Sequence, residues 1–145
     1  MATNNINVDS WWGHHTLVID DQGFGVIDSE AEIVFTRGQC HALALALHKL
    51  TGWPIKGASY YRCSSWESPS HCLVYWREWR VYVDIEGVKK HPWIGRTKLV
   101  VSHRYLSPKR AKSGLGKYKK PNLRAAMPFA RTILKQIAEK YGVVV

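Results

Sequence analysis

Apolar residues crowd most densely in Cys40-His41-Ala42-Leu43-Ala44-Leu45-Ala46-Leu47-His48-Lys49-Leu50, a run built almost wholly of strong helix formers. Thr51-Gly52 and then Pro54 stop it, because glycine takes the left-handed cap and proline forbids continuation. The apolar positions are not confined to one stripe, so the pattern predicts a central helix buried on most sides. Before it, residues 1–36 read as an irregular lead-in with short strand candidates. Leu17-Val18-Ile19 and Val26-Ile27 are β-prone, with Asp20-Asp21-Gln22-Gly23 as a turn between them. Ile33-Val34-Phe35 is a further short apolar run, stopped by Thr36-Arg37-Gly38.

After the helix, Ile55 to Arg62 has strand character, and a Ser/Pro-rich loop follows over residues 64–69. Residues 70–86 read as a hairpin: two segments rich in Val, Tyr and Trp flank a turn at Arg77-Glu78. Lys98 to Ser102 is another strand candidate. Residues 107–121 form a basic arm punctuated by Gly and Pro. Leu123, Met127, Ala130, Ile133, Leu134, Ile137 and Tyr141 then recur at helical spacing, which predicts an amphipathic closing helix over about 122–141. Pro128 either kinks this helix or marks its first turn.

Length and composition narrow the class. With 145 residues and 46% hydrophobic residues, the chain suits a single globular domain over 1–145. No apolar run approaches the ~20 residues of a membrane span, and the polar start shows no secretory signal. The three cysteines, Cys40, Cys63 and Cys72, make no disulfide framework. These features predict a cytoplasmic protein with no membrane partner and no cofactor. Charge changes the picture further. Residues 1–85 hold six Lys/Arg against nine Asp/Glu, whereas residues 86–145 hold fifteen against two. That asymmetry points to an anionic partner, either an acidic protein or nucleic acid. Lys109, Arg110, Lys112, Lys117, Tyr118, Lys119 and Lys120 are the candidate contacts, since cations neutralise phosphates and an aromatic ring stacks on a base.

Candidate chemistry centres on Cys40, which follows a glycine turn and opens the buried helix. Unpaired backbone N–H groups and the helix dipole there favour thiolate over thiol, as a nucleophile at neutral pH requires. In the hairpin, a turn centred on Arg77-Glu78 opposes Trp76 to Trp79, Val74 to Val81 and His71 to Asp84. Opposed side chains sit about 4.5–5.5 Å apart at Cβ, so the carboxylate can hold the imidazole in one tautomer. A metal site is a poor alternative: Cys63, His71 and Cys72 are too loosely spaced for zinc, and neighbours in a strand point to opposite faces. Trp11, Trp12, Trp53, Trp66 and Trp93 read as core or satellite-cluster residues, or as the lining of a cleft.

The order Cys-His-Asp, on a helix, a strand and the adjacent strand, resembles the papain-like cysteine peptidase superfamily. Gly38-Gln39-Cys40-His41-Ala42-Leu43 is similar to the papain-type segment that opens the central helix, with His41 in place of Trp. Asp as the third residue, and spacings of 31 and 13 residues, are more similar to transglutaminases and arylamine N-acetyltransferases. The Asp84-Ile85-Glu86-Gly87 hairpin is also similar to that of small phage and bacterial proteins. The resemblance spans Thr36 to Gly87 and implies an α+β, papain-like fold, its central Cys-bearing helix packed on an antiparallel sheet. It further implies an acyl-transfer site, as in a peptidase, amidase or deamidase. Cys40 would be the nucleophile, His71 the base and Asp84 the orienting group. The glutamine that completes the family's oxyanion hole from upstream has no counterpart. The Cys40 backbone N–H supplies one donor, and Gln39 is the candidate for the second. The alternative is a non-catalytic basic module that binds nucleic acid or protein.

Overall fold

The computed structural model describes residues 4–10, 13–59, 69–112 and 120–144. The lead-in is more regular than its sequence suggests. β1 (Asn4–Ser10) and β2 (Gly13–Ile19) form an antiparallel pair running from Asn4↔Ile19 to Ser10↔Gly13. Each strand buries one apolar side, Val8 on β1 and Leu17 on β2, and leaves the other polar and wet. The turn after β2 falls where the aspartates predict it: Asp20 Oδ1 accepts the backbone N–H groups of Gln22 and Phe24, each at 2.9 Å.

Ile33-Val34-Phe35 belongs to a helix, α1 (Ser29–Thr36), and Val26-Ile27 joins no strand. The physical reason is the cap. Asp28 accepts the Ala31 N–H at 2.9 Å, Glu30 and Glu32 occupy the first turn, and Ala31, Val34 and Phe35 bury one helical face. The three-residue apolar run alone masks that periodicity.

α2 (Cys40–Thr51) is the predicted central helix, capped by Gly52 at φ +78°. Every residue from Cys40 to Leu47 is buried. It packs between α4 (Leu123–Tyr141) and an antiparallel sheet, with α1 alongside. The sheet joins β3 (Ile55–Ser59), β4 (His71–Trp76), β5 (Val81–Asp84), β6 (Gly87–Lys89) and β7 (Val100–Leu106) in the order β6-β5-β4-β3-β7. The fold class is therefore α+β. Ile55, Val74, Val83 and Leu106 turn one sheet face to the core beneath α2. Tyr60, Tyr61 and Arg62, at the predicted end of β3, lie outside the described residues. Part of the basic arm is helical, as α3 (Pro108–Lys112), which packs on α2 through buried Ala111.

Pro128 stands inside α4, beyond its first turn. Its carbonyl accepts the Gly25 N–H at 3.0 Å, and the Thr132 hydroxyl donates to the Gly25 carbonyl at 2.7 Å, so this turn of α4 docks the β2–α1 loop. Only glycine fits at position 25, where a Cβ would lie 2.5 Å from the Phe129 ring. Phe129 in turn meets Phe35 at 5.1 Å between ring centroids. Trp53 stacks on Trp76 at 4.7 Å and Trp93 on His91 at 4.6 Å, while Trp11, Trp12 and Trp66 lie outside the described residues. Among the described residues, no helix is long and apolar enough to cross a membrane.

Candidate active site

The β4–β5 hairpin is real, but its register differs from the symmetric expectation. Val74 pairs with Val83, Tyr75 with Tyr82 and Trp76 with Val81, around a four-residue turn in which Arg80 takes φ +54°. Trp76 therefore does not oppose Trp79, nor Val74 Val81, and His71 is not directly across from Asp84. Carried one residue further, the ladder sets Asp84 opposite Leu73 and diagonal to His71. Moving the turn centre by one whole residue preserves parity, so both side chains stay on the same sheet face. Diagonal neighbours remain within reach of long polar side chains. The His71 Nε2 to Asp84 Oδ2 distance is 2.8 Å, with both residues buried.

A closed set of donors holds Asp84. Its Oδ2 accepts from His71 and from Lys89 Nζ at 2.9 Å, and its Oδ1 accepts the Glu86 N–H at 2.9 Å. Lys89 also donates to Glu86 Oε1 at 2.5 Å and to the Trp93 carbonyl at 2.6 Å. Burial raises the carboxyl pKa, but hydrogen bonding and charge from His71, with the Lys89 ammonium, outweigh it and hold Asp84 below its ordinary value. Nothing in the local sequence pattern marks Lys89 as a partner of Asp84. The Glu86-Gly87 turn brings it there: Gly87 at φ +94° pairs with Asp84, which returns the chain and sets Lys89 across from Tyr82.

Nε2 is committed to Asp84, and the ring's other nitrogen, His71 Nδ1, is buried without a hydrogen bond. Burial pulls the imidazole pKa down. The Asp84 hydrogen bond, with a contribution from Cys40, more than reverses this and raises His71 to about 9. Cys40 stands at the N-terminus of α2, ahead of the backbone ladder that begins with Ala42 and Leu43 donating to the Gln39 carbonyl. A hydrogen bond from Cys72 does most to lower its pKa. Burial opposes this, and His41 and His71 add to the lowering, which leaves the thiol well below its ordinary range. Cys72 shows the converse: its bond to Cys40 and its burial push its own pKa well up. The charge belongs on Cys40, where the helix dipole and His71 favour it. Cys72 was not expected here, because alternation along β4 turns it away from His71. Cys72 and His71 are the last two residues of the β3–β4 ladder, paired with Gly57 and Ala58, and both act on the Cys40 thiol.

The structure thus brings Cys40, His71 and Asp84 together, exposed by only 1%, 0% and 2% respectively. Two surface clefts, of about 250 and 200 Å³, run along α4, and none of these three residues lines either. Gln39 is buried but its amide is committed elsewhere. Nε2 donates to the Asp9 and Lys120 carbonyls at 3.3 and 3.4 Å, and Oε1 accepts the Asn122 N–H at 2.9 Å. Its side chain ties β1 to the start of α4, which corrects its expected place as an oxyanion donor. In the basic arm, Lys109 and Lys112 are exposed and Arg110 half-buried on α3, and Lys120 is exposed before α4. Lys117, Tyr118, Lys119 and Cys63 lie outside the described residues. Among the described residues, no group of three His, Cys, Asp or Glu side chains could hold a metal ion. Compared with protein-family models, with curated proteins and with solved structures, the chain matches none.

Proposed function

We propose that the protein is a cysteine-dependent acyl-transfer enzyme, a peptidase, amidase or deamidase, built on a papain-like arrangement. The observation that carries this reading is the buried chain from Asp84 through His71 toward the acidified Cys40 thiol, in the order carboxylate, imidazole, sulfur. The helix that opens with Cys40 and the antiparallel strands bearing His71 and Asp84 support the papain-like comparison. In the reaction, the Cys40 thiolate attacks an amide or thioester carbonyl carbon. The Cys40 backbone N–H faces the oxyanion, and the His71 imidazolium gives its proton to the leaving group. Water or a second nucleophile then takes the acyl group from sulfur, with His71 accepting its proton. Asp84 holds the tautomer throughout.

Since Cys40 is 1% exposed, substrate reaches the sulfur only after local opening. The excess of positive charge in residues 86–145 supports an acidic macromolecular target. α3 packs on α2 and carries exposed Lys109 and Lys112, which bring positive charge to the Cys-bearing helix. Two buried free thiols, Cys40 and Cys72, suit a reducing, cytoplasmic setting. The test is the pH dependence of cysteine alkylation, read by mass spectrometry on native protein beside His71→Ala. The reading expects Cys40 to react well below pH ~8.5, the ordinary thiol value, and to lose that advantage without His71. A Cys40 that titrates as an ordinary thiol, unaffected by His71→Ala, would overturn it.

A further inference from the structure

The sheet face turned away from α2 carries His71 and Asp84 by strand alternation, and beside them a row of side chains that the thiol chemistry does not use. Tyr82 on β5 pairs with Tyr75 on β4, their ring centroids 5.1 Å apart. Lys56 on β3 sets its ammonium over Tyr75 at 5.0 Å and over Tyr105 of β7 at 4.5 Å, directly across the ladder from Tyr105. The Arg77 guanidinium lies over the far side of the row, 5.1 Å from the Tyr105 ring. Aromatic and cationic groups therefore run unbroken across four adjacent strands. Tyr105 is 43% exposed, Arg77 is exposed, and Tyr75, Tyr82 and Lys56 are half-buried.

A structural account explains each contact singly, because lysine and arginine stems cover aromatic rings on many surfaces. It does not explain why three tyrosines share this face, Tyr75 across from Tyr82 and Tyr105 one pleat along, across from Lys56. We propose that this face binds single-stranded nucleic acid, with Tyr75, Tyr82 and Tyr105 as stacking platforms for bases and Lys56 and Arg77 as phosphate contacts. Rings on neighbouring strands offer successive bases a flat surface, and a flexible lysine can leave the rings for a phosphate. Charge complementarity supports the occupant: the chain holds 21 Lys/Arg against 11 Asp/Glu. An acidic peptide fits less well. Lys89, the cation across from Tyr82, is spent on Asp84 and Glu86, which leaves the row richer in rings than in free charge. A polymer with a π face and a charge in every unit matches that balance.

The experiment is fluorescence anisotropy of a labelled oligothymidylate with the full chain at several salt concentrations, with poly-glutamate as competitor. Stacking predicts that Tyr105→Ala and Tyr75→Ala each weaken binding about tenfold, while Tyr105→Phe and Tyr75→Phe keep it. Lys56→Gln lowers the magnitude of the salt slope by about 0.7, the loss of one phosphate contact on a single strand. Cys40→Ala binds as wild type, which separates the tyrosine row from the thiol. Circular dichroism melts confirm that each variant is folded. No measurable binding, binding that survives both alanine variants, or equal tyrosine-dependent binding of poly-glutamate would overturn the proposal.

Discussion

Replacing Asp84 by Asn keeps the size of the side chain and removes the charge that His71 leans on. The lost interaction is a buried, charge-assisted hydrogen bond of 2.8 Å, a class that contributes about 1.5–3 kcal/mol. At about 1.4 kcal/mol per pKa unit, His71 falls by about one to two units from about 9. The same energy is withdrawn from the thiolate–imidazolium form, so its equilibrium constant against the neutral pair drops about tenfold to hundredfold. Burial of the thiol complicates a bare rate, because alkylation reports opening as well as ionisation. The ratio of the alkylation rate at pH 6 to that at pH 10 cancels the part of the opening term that does not depend on pH within each variant. We expect this ratio to fall in Asp84→Asn, with Cys72 as an internal comparison. An unchanged ratio in a folded variant would mean that Asp84 does not act through His71 on Cys40, and the proposed triad would lose its third member.

Stability should also depend on pH in a way that separates the paired groups. His71, raised to about 9 from an ordinary 6.5, contributes stability that is complete below 6.5 and lost as pH rises through 9. Cys40 is depressed below an ordinary 9.0, so its contribution is complete above 9.0 and lost as pH falls through its lowered value. Between 6.5 and 9 these slopes oppose each other in wild type. Cys40→Ser should therefore lose urea stability relative to wild type as pH rises across that window, and parallel profiles would contradict the pairing. Gln39→Ala removes three part-buried hydrogen bonds that tie β1 to the segment entering α4 and should cost about 2–4 kcal/mol in a denaturant melt. Its pH 6 to pH 10 alkylation ratio should stay at the wild-type value, as befits a strut. Gly25→Ala drives a methyl into the Phe129 ring and should destabilise by about 1–3 kcal/mol, which a thermal melt would detect.

Local signals on this chain were strong where one element satisfied itself. The α2 run with its Gly52 cap, the Asp20 turn and the α4 periodicity all concern neighbours in sequence, and helix propensity and capping act over that range. The facing of His71 and Asp84 was legible for a related reason. Parity along two strands survives an error of one residue in the turn centre, even though the pairing itself does not. α1 was hidden because its three consecutive apolar residues suit a strand as well as a helix, and the Asp28 cap decides between them.

The sequence by itself determined an α+β chain with a buried helix opened by Cys40, a hairpin carrying His71 and Asp84 on one face, and a strongly basic second half. Tertiary structure decided which groups surround the sulfur and the carboxylate. Cys72 meets Cys40, Lys89 shares the Asp84 oxygen with His71, and Gln39 spans from Asp9 to Asn122, eighty-three residues further on from Gln39. It also set Lys56 between Tyr75 and Tyr105, which are thirty residues apart in the chain. Such contacts depend on how strands and helices pack side by side. Periodicity fixes the face a residue occupies, and only packing fixes what that face meets.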